Sequence, residues 1–113
     1  MKAEKEYGHA VISAQKFGNT AYIAIDLQGV AFALSGQSRW AKSIRLEGAA
    51  RKIYDQIGMV VEGIAEFWDV FMATYIDNAK KELGEELTLK YLEEGRFTES
   101  EKAVEYALNF EKD

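Results

Sequence analysis

The sequence predicts an α+β fold, a three-stranded antiparallel β-meander packed on a long amphipathic helix. Three observations carry this. Two hairpin-like runs between Ala10 and Ser35 share one register, and an apolar seam at helical spacing runs from Ile53 to Ala79. Gly, Asn and Ser supply the boundaries, since the chain has no proline. Its 113 residues are expected to form a single domain over 1–113.

The meander comes first. Turns at Gly18-Asn19 and Gln28-Gly29 separate strands at about 10–17, 20–27 and 30–35. With two-residue loops, Leu27 faces Val30, Ile25 faces Phe32 and Ile23 faces Leu34. Across the other turn, Ala14 faces Ile23, Ile12 faces Ile25 and Ala10 faces Leu27. Side chains alternate with period two, so these nine residues fall on one face. A helix from Thr20 to Ser35 is the competing reading. It aligns Ile23, Leu27, Val30 and Leu34 but sends Ile25 and Phe32 to the other side. It also places Gly29 mid-element, at about 1 kcal/mol relative to Ala. The alanines at 21, 24, 31 and 33 favour that helix, because Ala is depleted in strands. The sheet places all six large residues together and is the expectation. Its third strand carries no charge, and an uncharged edge invites pairing with another chain. Val30, Phe32 and Leu34 are therefore candidate partner contacts.

From Ser38 onward the pattern is helical. Trp40 and Ile44 lie about 120° from the later seam on a helical projection, so one straight helix cannot bury both sets. A break near Gly48 is expected, giving a short helix of about 38–47 and a long one of about 50–82. On the long one, Ile53, Ile57, Val60, Val61, Ile64, Phe67, Trp68, Phe71, Met72, Tyr75 and Ala79 share a face. Asp55, Glu62, Glu66, Asp69 and Asp77 oppose them. Gly58 and Gly63 weaken the helix and mark a kink or close packing. Met59 and Val70 fall off the apolar face, which points to a second covered surface and adds them to the candidate partner contacts. Two further helices follow at about 85–94 and 99–111. Gly95 suits the left-handed position past a helix end, and Thr98 with Glu101 reads as a capping box.

Charge is distributed unevenly. The net charge is −5, yet residues 37–60 carry five bases against two acids, while residues 61–113 carry six bases against fourteen acids. An acidic whole disfavours non-specific nucleic-acid binding, which depends on many phosphate contacts. A local patch of Arg39, Trp40, Lys42, Arg45 and Lys52 could still grip nucleic acid or an acidic partner.

Few residues offer catalysis. Cysteine is absent, which removes thiolate chemistry and fits a reducing, cytoplasmic setting. His9 is the single histidine, so no His-based triad or multi-histidine metal set can be assembled. Glu62, Glu66 and Asp69 are spaced i, i+4, i+7, which could serve a hard cation or an acid–base pair, but they lie opposite the seam. There is no Gly-rich phosphate loop. Met1 to Tyr7 is charged, and no apolar run is long enough to span a membrane. No cofactor or metal is expected.

The expectation is a small, acidic, non-enzymatic protein that works by binding another protein or itself as a homodimer. An adaptor, a regulatory subunit or a stoichiometric inhibitor of the kind encoded by phages and mobile elements would fit. A nucleic-acid-associated protein using residues 39–52 is one alternative. A carboxylate-based enzyme or small-ligand binder is the other.

Overall fold

The computed structural model describes residues 19–113, and among them the chain is all-helical. The meander is overturned where it can be seen. Residues 20–27 and 30–35 form one helix, α1 (Thr20–Gly36). The first strand, at 10–17, its turn at Gly18 and His9 lie outside the described residues. Asn19, read as a turn residue, is the N-cap, and its side-chain oxygen accepts from the Tyr22 N–H at 3.2 Å.

The reason lies in the surroundings of α1. A helix covered on one side buries one stripe, and the two-strand reading was favoured because Ile25 and Phe32 fall outside the stripe of Ile23, Leu27, Val30 and Leu34. Here α1 is covered on several sides. Leu27, Val30, Ala31 and Leu34 are buried, and so is Phe32, which the helical reading had sent outward. The Phe32 ring centre lies 4.8 Å from that of Trp68 and farther from those of Phe71 and Tyr75, at 6.0 and 6.1 Å. A helix buried on several sides from Leu27 to Ser35 and a one-faced sheet give similar apolar runs, and the alanines were the signal that separated them.

The second helix, α2 (Trp40–Ile57), runs unbroken through Gly48. Gly48 marks a crossing instead of a break. A Cβ there would lie 2.2 Å from the Leu92 carbonyl oxygen on α4 (Glu85–Arg96), and a Cβ at Gly95 would lie 1.9 Å from the Arg45 carbonyl oxygen. Two glycines thus let the backbones of α2 and α4 touch. Gly95 sits inside α4 and does not cap it.

The break in the long seam comes later. Gly58 takes the left-handed conformation, φ 71°, and ends α2; the Met59 N–H donates to the Tyr54 carbonyl at 2.8 Å. Gly63, φ 83°, turns the connecting loop. The next helix, α3, spans residues 66–83 as α-helical Glu66–Phe71, a π-helical stretch Met72–Ile76 and α-helical Asp77–Leu83. The Ser35 hydroxyl of α1 donates to the Tyr75 carbonyl in that stretch at 2.6 Å. Gly84, φ 82°, leads into α4, and α5 (Ser100–Leu108) closes the chain. The expected capping box is absent: Glu99 is the N-cap of α5, and the Thr98 hydroxyl turns back to the Glu94 carbonyl at 2.7 Å.

Helix α2 is the centre. It packs on α1 on one side and α4 on another, while α3 lies against both α1 and α2. No helix among the described residues is long and apolar enough to cross a membrane.

Candidate functional site

Two adjoining features stand out, and the Trp68 indole belongs to both. The first is a buried polar hub. Gln28 on α1 and Glu47 on α2 are at most 1% exposed. The Gln28 Nε2 donates to Glu47 Oε1 at 2.7 Å. The Gln28 Oε1 accepts from the Tyr54 hydroxyl at 3.0 Å and from Trp68 Nε1 at 2.7 Å. The amide orientation is forced: indole N–H can only donate, so the carbonyl faces Trp68 and the NH2 faces the carboxylate. Arg51 lies 3.4 Å from Glu47, bonds Glu62 at 2.6 Å, and reaches Met72 Sδ at 3.3 Å. Burial pushes the Glu47 carboxyl above the ordinary carboxylate range, with Arg51 and Gln28 pulling it back. Burial likewise raises the Tyr54 phenol. Every buried side-chain N or O among the described residues has a partner. The hub is closed and satisfied, which suits a device that fixes helix register and the pose of Trp68.

The second feature is open. A cleft of about 180 Å³ is lined by Ile25, Met59, Val61, Ile64, Ala65, Phe67 and Trp68. All seven are apolar. Of the lining, Ile64 and Phe67 are 60 and 62% exposed, and Val60 and Val70, close to lining residues in sequence, are 73 and 54% exposed. Gly58 and Gly63 create the loop that brings Met59, Val61 and Ile64 over the start of α3. Two wider depressions, near Tyr106 and near Phe97, are lined by mixed charges and apolar groups.

The candidate residues separate accordingly. Val30, Phe32 and Leu34 are core residues of α1, and the strand edge that was to present them does not form. Met59 lines the cleft, and Val70 is exposed one turn beyond Phe67. The basic patch is directed inward. The Arg39 guanidinium donates to Asp113 at 2.9 Å and to the Phe110 carbonyl at 2.8 Å. Trp40 is half-buried against the core. Lys42 is buried, donates to the Asn109 carbonyl at 2.7 Å and lies 5.1 Å from the centre of the Tyr106 ring. Arg45 bonds Glu94 at 2.8 Å and lies over Tyr91, and Lys52 donates to the Thr98 carbonyl. These cations fasten the C-terminal hairpin to α2.

The carboxylates diverge. Glu62 pairs with Arg51, whose hydrogen bond holds its carboxyl below the usual range. Asp69 accepts from the Gly63 N–H at 3.0 Å, and Glu66 is exposed. No group of three potential metal ligands converges among the described residues. Sequence reasoning missed Gln28, which it placed in a turn, and so missed the hub. A buried amide in an otherwise apolar run was the available signal.

No protein-family model matches the chain, and neither the curated proteins nor the solved structures contain a significant match.

Proposed function

We propose that this chain is a non-enzymatic protein-binding module of the cytoplasm that seats an apolar side chain of its partner in the cleft at Trp68. The observation behind this is the all-apolar lining, in which Ile64 and Phe67 are exposed, together with exposed Val60 and Val70 close to it in sequence. Contiguous exposed apolar surface is unfavourable in water unless something covers it. The hub supports the same reading. Gln28 anchors one edge of Trp68, so the floor of the cleft is set before a partner arrives, which reduces the ordering cost of binding. The absence of cysteine is consistent with a reducing compartment.

Site-specific photo-crosslinking in the native host tests it. A benzoylphenylalanine at position 64 should give a discrete adduct, whereas one at exposed Glu86 on α4 should not. No adduct from position 64, or the same adducts from both positions, overturns the reading.

A further inference from the structure

We infer that the occupant of the cleft is a cationic segment of another protein, in which Lys or Arg residues flank one large apolar anchor. This rests on the binding-module reading above and names the partner's chemistry.

Size sets the anchor. A cavity near 150 Å³ admits benzene, and this one measures about 180 Å³. It therefore takes one aromatic or branched aliphatic side chain. The rest of an apolar contact must lie on the shelf of Val60, Phe67 and Val70.

Charge sets the flanks. All lining residues come from two stretches, Thr20 to Ser38 and Ile57 to Phe71. The charged side chains in those stretches are Asp26, Glu62, Glu66 and Asp69, with no Lys, Arg or His among them. Arg51, from α2, offsets Glu62 but also faces Glu47. Among the described residues, four carboxylates thus flank the lining in sequence, against two cations, Arg51 and Lys80, that act on Glu62. Three alternatives are disfavoured by these carboxylates. A second copy docked through a two-fold axis would bring like carboxylates face to face, on a chain already at −5. An anionic membrane surface would be repelled in the same way. An acidic peptide would gain from the anchor and lose at every flank. A cationic segment gains from both.

The test uses labelled peptides and fluorescence anisotropy. Three share a central Phe and differ in flanks of Lys and Arg, of Gln, or of Glu; a fourth keeps the cationic flanks with Ala at the centre. The cationic Phe peptide should bind about tenfold or more tighter than the Gln-flanked one, equivalent to about 1.4 kcal/mol. The gap should narrow at high salt. The Glu-flanked and Ala-centred peptides should not bind. Ile64→Ser with Phe67→Ser should abolish binding, and Glu66→Lys should erase the charge preference, both with unchanged far-ultraviolet circular dichroism. Equal binding of the Lys- and Gln-flanked peptides, binding of the Ala-centred peptide, or a crosslink from position 64 to a second copy overturns the inference. If position 64 crosslinks another protein while the peptides show no preference for cationic flanks, only this inference falls. If position 64 gives no adduct and no peptide binds, the binding-module reading falls with it.

Discussion

The two edges of Trp68 meet opposite chemistry. On one side the indole N–H enters a hub where Gln28, Glu47 and Tyr54 satisfy one another in the dry interior between α1 and α2. On the other side the same ring floors a cleft of seven apolar residues open to solvent. Polar groups are where water is excluded, and apolar groups are where water is present. The hub stabilises only because every bond is made, since an orphaned buried donor or carboxylate costs about 1–3 kcal/mol or more. Trp68 and Val61 at the base of the cleft belong to the core, but Ile64 and Phe67 at its mouth are exposed and contribute less to folding, so they are free to serve something else. Substitutions on the closed side should therefore be severe, and those on the open side mild.

The largest contrast is expected at the α2–α4 crossing. Gly95→Ala puts a Cβ 1.9 Å from a backbone carbonyl that cannot swing away, so the helices must separate. Overpacking of this kind costs about 3 kcal/mol or more. The gain in helix propensity from Ala, about 1 kcal/mol, is the smaller effect. Urea unfolding should show a sharply lowered midpoint for Gly95→Ala. Phe67→Ser, on the open side, should stay within about 0.5 kcal/mol of the parent. Comparable losses at both positions would show that exposed Phe67 carries as much of the fold as the α2–α4 crossing.

How much of this division was legible depends on what each residue faces. The segments of α4 and α5 read as helices because each has one wet face. Gly48 and Gly95 drew notice, but as a break and a cap. Whether a helical glycine bends the chain or admits a neighbour depends on a partner helix some forty to fifty residues away, here Leu92 for Gly48 and Arg45 for Gly95. The break at Gly58 and Gly63 was marked, yet the seam through Ile57, Val60, Val61 and Ile64 continued so regularly that a single helix was preferred. Helix α1 was misread because it is buried on several sides, which puts Phe32 in the core outside the one stripe that periodicity aligns. Of the cleft, Met59 and Val70 were visible as apolar residues off the main face. Trp68 and Phe67 were assigned to the core, and Gln28 to a turn.

A smaller effect is expected from the hub. Gln28→Leu conserves approximate volume but leaves Glu47 without its amide donor and Trp68 and Tyr54 without their acceptor. A loss of about 2–3 kcal/mol is expected from the unsatisfied groups. Trp68 should also lose its fixed pose, seen as a change in tryptophan emission while Trp40, half-buried on α2, reports the background. A variant as stable as the parent would show that the hub is dispensable to folding. If its cleft also binds peptide as well as the parent, the hub does not position the cleft.

Asp26 sits on the boundary, between cleft-lining Ile25 and buried Leu27 and Gln28. Partial burial lifts its carboxyl from an ordinary 3.8 to about 6. A carboxyl with a folded pKa above its unfolded value binds protons more tightly in the folded state. Its contribution to stability is full below about pH 4 and is lost as pH rises through about 6. Because the group is half-exposed, solvent screening reduces the effect to about 1 kcal/mol. Glu47, also raised, slopes in the same direction, and Glu62, lowered by Arg51, slopes in the opposite one. The parent curve therefore mixes several groups, and the difference between parent and Asp26→Asn isolates one. Asp26→Asn should lose little at pH 4 and gain relative to the parent between pH 5 and 7, read from urea midpoints at each pH. Parallel curves would place Asp26 in solvent on the open side. A difference well above 1 kcal/mol would place it inside the closed one.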